Sequence, residues 1–308
     1  EATCVLLVAM SPRPRAAALM LMMLLSPHSL PSAESPTNTA GIRLPIEFRR
    51  GSLHVPVVVN GSNSLSFKVD TGFGVTTVHP DLVEKLQLKR AGFITIVGIA
   101  GEEKADTYEG AKFNFGGATY SPRRVTVLPS EAQSRRRRDG ILGAGFFRRF
   151  VVEIDSANRT MTLYEPRGFQ YSGKGEVIPL EFRRDTPIVE AAINFTNRAP
   201  VWAKFEIDSG CDGELCLGHD FVEKNRLDDE TGHASSRSGV GGSVDTRHGK
   251  LPQFQLGKAT LDNLPANFFS EGSPAGEGLA GHIGMGTLRH FKVIFDYSRK
   301  QMILESAK

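Results

Sequence analysis

Short stretches in which apolar and polar residues alternate run through most of the chain. They cover residues 55–59, 65–69, 93–97, 124–128 and 161–164, and then 188–194, 201–207 and 302–304. A period of two held over about four to eight residues marks a strand with one buried face. Turn formers punctuate these stretches at Asn60-Gly61, Gly116-Gly117 and Asn197-Arg198. Helix-like spacing is confined to short pieces, residues 80–86 and 218–224, with two more expected after the segments at Ile141 and His282. The pattern predicts an all-β chain with short helices.

Two of the stretches end alike. Residues 65–69 run into Asp70-Thr71-Gly72, and residues 201–207 run into Asp208-Ser209-Gly210, 138 positions later. A strand that ends on Asp followed closely by Gly delivers a carboxylate to a tight turn. The order of elements after each triplet then repeats. A helix-like piece comes first, then a Gly-rich hairpin tip (Gly98-Ile99-Ala100-Gly101 and Gly239-Val240-Gly241-Gly242), then a strand-like piece at 111–116 and 253–257. Each half closes on a second signature, Ile141-Leu142-Gly143 in one and His282-Ile283-Gly284 in the other. Triplet Asp to signature Gly spans 73 residues in the first half and 76 in the second. An isolated Asp-Thr-Gly is more often a turn with an Asx-type bond than a site. The repeat is what argues for two carboxylates brought face to face.

Paired Asp-Thr/Ser-Gly triplets, each followed by a distant apolar-apolar-Gly segment, resemble the signature of the aspartic proteases. The resemblance covers about residues 41–305 and is similar to that of the bacterial tandem retropepsin-like aspartyl protease family proteins. It implies two pseudo-symmetric acid-protease-type β-barrel lobes with short helices, at residues 41–168 and 169–308. The join is expected in the Gly-rich, polar residues 167–175. Asp70 and Asp208 are implied as the catalytic pair, sharing one proton because two close carboxylates cannot both ionise easily. Thr71 and Ser209 are implied to lock each active-site turn to the other lobe, while Gly72 and Gly210 let backbone N–H groups approach the carboxylates. The hairpin tips Gly98, Ile99, Ala100 and Gly101, and Gly239, Val240, Gly241 and Gly242, are flap candidates. Tyr108 lies past the first tip and is expected to be a packed strand tyrosine. His282 departs from the family pattern, which has an apolar residue there; a satisfied core or edge histidine and a pH-sensitive contact both stay open.

Composition adds less. A chain of 308 residues with 40% hydrophobic content can bury a sizeable core, or two. A net charge of +3 gives no ground for a nucleic-acid partner. The run Arg135-Arg136-Arg137-Arg138 is expected to be a solvated loop. Arg13 and Arg15 precede an apolar run of about ten residues and then Ser32-Ala33, which predicts an export signal over residues 1–33 cut after Ala33. Residues 1–9 are expected not to belong to the natural product, and residues 34–40 to be a flexible lead-in. An uncleaved membrane anchor is the alternative to a signal. Cys211 and Cys216, five apart, could form a small disulfide in an oxidising compartment or stay apart. Two thiols do not fill a zinc shell, so neither a metal nor any other cofactor is expected.

The expected function is that of an exported, periplasmic or secreted aspartic-type endopeptidase, a hydrolase that is monomeric and takes an extended peptide or protein substrate. No nucleic acid and no stable membrane insertion after signal cleavage are expected. The rival is a non-catalytic peptide-binding module that kept the fold.

Overall fold

Hydrophobic alternation becomes three antiparallel-rich sheets in the computed structural model, which describes residues 40–98, 101–128, 139–227, 230 and 232–306. The predicted export signal, the lead-in up to residue 39, Ile99 and Ala100 of the first tip, and the arginine run lie outside the described residues. One ten-stranded sheet is built from residues 47–142 and one eight-stranded sheet from residues 181–284. These are the barrel-like sheets of two lobes, and the chain is all-β with a few short helices.

The third sheet belongs to both halves. Its six strands run Ile42–Pro45, Thr160–Tyr164, Val151–Asp155, Phe291–Asp296, Gln301–Ser306 and Glu176–Pro179. At its centre the two copies of the repeated segment pair antiparallel, with Val152 opposite Phe295 and Ile154 opposite Val293. Phe295 and Val152 are fully buried there, so the repeat unit of each half also glues the halves together.

Local chemistry explains most of the turns. Asn60 and Gly61 both sit at positive φ, 49° and 75°, the backbone of the tight hairpin between Ser52–Val59 and Leu65–Val69. The predicted helix over residues 80–86 is a correction. Only a 3-10 turn forms, Pro80–Leu82, capped where His79 Nδ1 accepts from the Asp81 amide. Gln87 then adopts a left-handed φ of 55° and the Leu88 amide donates back to Val83 O, closing the segment after little more than one turn. The second-half counterpart does form a helix, His219–Lys224. Each signature Gly is followed by a short helix, Ala144–Arg149 and Met285–Leu288.

Candidate active site

Period-two alternation fixes which side chains reach the site. In Leu65–Val69, Phe67 and Val69 are fully buried in the first core, so Lys68 and Asp70 project from the opposite face. In Val201–Asp208, Phe205 and Ile207 point into the second core and Glu206 and Asp208 point the other way. The signature strands lie parallel alongside, Gly140–Leu142 with Ile141 opposite Lys68, and Gly281–Gly284 with His282 opposite Glu206. The Asp70 amide donates to Leu142 O at 3.0 Å, tying the first turn to its signature.

The two turns interlock. Thr71 Oγ1 donates to Ile207 O at 2.7 Å and accepts from the Ser209 amide at 2.9 Å. Ser209 Oγ donates to Val69 O at 3.2 Å and accepts from the Thr71 amide at 3.0 Å. Both hydroxyls are fully buried. Each glycine faces the carboxylate of the other turn: a Cβ on Gly72 would meet Asp208 Cγ at 2.6 Å, and one on Gly210 would collide with the Asp70 carboxyl. The turns therefore close only around two residues without side chains.

Asp70 and Asp208 are hydrogen-bonded to each other across this junction. Asp208 Oδ1 accepts from the amides of Gly210 at 2.9 Å and Cys211 at 3.1 Å. Each carboxyl also has a buried cationic neighbour. Lys68 Nζ lies 3.0 Å from Asp70 Oδ2, and His282 Nδ1 lies 3.2 Å from Asp208 Oδ2. The other imidazole nitrogen, Nε2, lies 2.9 Å from Glu206 Oε2. Burial pushes the Asp70 carboxyl above its ordinary pKa, and the nearby Asp208 adds to this against the lowering effect of Lys68. Burial opposes ionisation of Asp208 as well, but the His282 hydrogen bond, the charges of His282 and Lys68 and the bond from Asp70 together hold it below the usual carboxylate range. For His282, burial disfavours the cation, yet the hydrogen bonds and charges of Asp208 and Glu206 raise its pKa to about 10. Of the two carboxyls, Asp70 is thus the one that holds a proton more readily and Asp208 the one that ionises first.

Both hairpin tips meet above the signatures. The first hairpin pairs Lys89–Gly98 with Gly101–Glu109, and the second pairs His233–Gly239 with the start of Gly242–Leu256. Val240 packs against a cluster of Ile96, Ala105, Leu128 and Ile141 from the first half, beside Phe73. The Gly241 amide donates to Glu103 Oε1 at 3.2 Å, and Gly98 lies directly against Val240. Arg237, on the second hairpin, pairs with Asp212 on the Asp208 turn at 2.9 Å. Tyr108 is half-buried on its strand and packs against the first core.

Cys211 and Cys216 are free thiols with their sulfurs 3.6 Å apart, so the disulfide alternative is not formed. His282 is a buried histidine with both ring nitrogens satisfied, and its partners are the carboxylates of Asp208 and Glu206. Lys68 and Glu206 escaped the sequence reading, although the alternation that buries Phe67 and Phe205 places both on the carboxylate face. The two aspartates are not uncompensated like charges at the lobe junction, since Lys68 and His282 stand beside them.

Comparison with known proteins agrees with this geometry. A family model described as Aspartyl protease matches residues 55–146 and 189–287, one stretch per lobe. The crystal structure of an aspartic proteinase from Irpex lacteus is similar at a TM-score of 0.57 and 14% identity, covering 87% of this chain and 97% of that one. At that identity the likeness is one of fold. No curated protein matches the chain.

Proposed function

The chain belongs to the aspartyl protease family, and we propose that it is an exported aspartic endopeptidase whose catalytic residues are Asp70 and Asp208. The observation that carries the reading is the hydrogen-bonded pair of buried carboxyls, one with its pKa raised and one with its pKa lowered, at the junction of two interlocked turns. Hydrolysis of an amide without a covalent intermediate needs a base for the attacking water and an acid for the carbonyl oxygen and then the leaving nitrogen. A dyad that holds a single proton supplies both.

The interlocking hydroxyls and close glycines hold the carboxyls in place before substrate arrives, which removes reorganisation from the reaction step. The two hairpins would cover an extended peptide, pairing with its backbone and excluding water. Export is supported by the basic residues, short apolar run and small-residue end of residues 13–33.

The test is cleavage of a mixed peptide library by the purified chain between acidic and neutral pH, followed by mass spectrometry. Asp70→Asn and Asp208→Asn are each expected to lower kcat by roughly a thousandfold or more while the thermal unfolding profile persists. Cleavage by either variant at the unsubstituted rate would sink the dyad. Tight peptide binding with no turnover at any pH would instead mark a binding module.

A further inference from the structure

Resting on the peptidase reading, we propose that His282, Glu206 and Lys68 are positioning residues that make the dyad unequal, so that Asp208 is the base that takes the proton from water and Asp70 the acid that protonates the carbonyl. Hydrogen-bond capacity constrains the ring first. A neutral imidazole has one N–H and one acceptor nitrogen, whereas an imidazolium has two N–H groups. Both ring nitrogens of His282 face carboxylate oxygens, Asp208 Oδ2 at 3.2 Å and Glu206 Oε2 at 2.9 Å. Only the doubly protonated ring donates to both. Glu206 therefore fixes the charge state and orientation of the ring, and the ring in turn fixes Asp208 as the carboxylate.

Burial makes this arrangement specific. His282 is 8% exposed, and the side chains of Glu206 and Lys68 are 12% and 11% exposed. An unpaired charge at such a position is strongly disfavoured, so each member requires the others. Charge counting gives the same answer. Two cations, Lys68 and His282, stand against three carboxyls, and the five-group cluster is neutral only when one carboxyl keeps its proton. Asp208 already accepts from two backbone amides and His282, which leaves Asp70 to hold that proton and donate it.

Every strand packed on His282 contributes to its surroundings. Glu206 and Asp208 come from Val201–Asp208, Cys216 stands opposite on Leu215–Leu217, and Cys211 lies on the intervening turn with Asp212 and Arg237 behind it. Asp70 and Lys68 approach from the first lobe. Burial and the two carboxylates balance in favour of the cation, raising the imidazole to about 10, so it stays charged through the range in which a carboxyl dyad works.

In the proposed first step, Asp208 takes a proton from water as its oxygen bonds to the peptide carbon, and Asp70 gives its proton to the carbonyl oxygen. The product is a tetrahedral diol, with the dyad proton now on Asp208. Collapse of the diol breaks the C–N bond. The leaving nitrogen takes the proton from Asp208, and Asp70 regains one from the diol hydroxyl, so the dyad returns to its starting state.

Two measurements on the full chain separate this proposal from the peptidase reading beneath it. The His282 ring, followed by NMR, is expected to keep both protons at pH 8 in the unsubstituted chain and to titrate at lower pH in Glu206→Gln, which removes one of its two carboxylates. With the best-cleaved library peptide as probe, His282→Gln is expected to move the acid limb of kcat/KM up by about one pH unit or more, a tenfold loss on the acid side. Lys68→Met is expected to move the alkaline limb up, because the dyad proton is then harder to release. His282→Lys restores a cation and returns the acid limb toward the unsubstituted position. An inactive unsubstituted chain overturns the peptidase reading itself. An active chain with an unmoved acid limb, or a neutral ring at pH 8, overturns the positioning role alone.

Discussion

The two lobes present the same backbone to the site and different chemistry behind it. Two residues before Asp70 stands Lys68, with Ile141 as its neighbour on the signature strand; two residues before Asp208 stands Glu206, with His282 as neighbour. The turns themselves are near equivalents, with Thr71 answering Ser209 in four reciprocal hydrogen bonds and Gly72 answering Gly210 against the opposite carboxyl. Pseudo-symmetry builds the dyad, and departures from it decide which half of the dyad holds the proton. A perfectly symmetric pair would leave that choice to the substrate.

After the aspartates themselves, the largest expected effect comes from the positions where the lobes are most alike. Gly72→Ala and Gly210→Ala each put a methyl group into the opposite carboxyl. Because that contact is with a held carboxyl in a locked turn, both variants are expected to lose roughly a hundredfold or more in kcat/KM. Gly210→Ala should be the worse, since its methyl group meets Asp70 more closely than the Gly72 methyl group meets Asp208. A Gly210→Ala enzyme with full activity would show that the junction is looser than described.

Next in size are the hydroxyls. Thr71→Val deletes a donor to Ile207 O and an acceptor for the Ser209 amide, both fully buried, leaving two backbone groups unsatisfied. A destabilisation of about 2–4 kcal/mol is expected from two such groups, and Ser209→Ala should match it within about 1 kcal/mol if the grip is as reciprocal as its distances. Denaturant titration measures both. A marked inequality would mean that one turn carries the junction and the other follows.

Stability against pH sharpens the contrast between the halves. The folded-state pKa of His282 is raised to about 10, so its contribution is complete below the unfolded value near 6.5 and is lost as pH climbs toward 10. Asp208, whose folded pKa is lowered, contributes above its ordinary value and loses that contribution as pH falls through and below it. The denaturation midpoint of the unsubstituted chain is expected to fall between pH 7 and 10, and His282→Gln to flatten that slope. An equal slope in both proteins would show that the ring is not charged in the fold.

Much of this was legible in the sequence because it is local. The 65–69 and 201–207 stretches became Leu65–Val69 and Val201–Asp208 almost unchanged. The 93–97 stretch extends to Lys89–Gly98 because hairpin pairing continues past the apolar residues that revealed it. The 80–86 helix failed for a local reason too, the left-handed Gln87 ending it early. The six-stranded sheet was not legible: pairing of Val151–Asp155 with Phe291–Asp296 joins segments about 140 residues apart, and nothing in either predicts its partner. Lys68 and Glu206 lay in plain view. A charged residue two positions before each aspartate, on the same face by alternation, is a signal that looks like ordinary solvent exposure until the fold buries it.

The smallest effect tests the one place where the asymmetry favours the first lobe. Ile141, the counterpart of His282, is apolar, and with Ile96, Ala105 and Leu128 it forms the socket that takes Val240 from the second hairpin. A half-buried valine side chain in such a socket is worth about 1 kcal/mol of burial. Val240→Ser should therefore leave the global unfolding midpoint nearly unchanged, because the core beneath is untouched, while loosening the tip. The Gly241 amide, which donates to Glu103, reports that loosening directly: its hydrogen exchange is expected to quicken by about fivefold, the factor that 1 kcal/mol represents. KM for the library peptide should rise by no more than that factor, with kcat held, since Val240 touches neither aspartate. If exchange at Gly241 does not change, the contact between the tips is incidental. If kcat falls instead, the second hairpin reaches the chemistry through the Ile141 socket and the lobes are more tightly coupled than their separate charge sets imply.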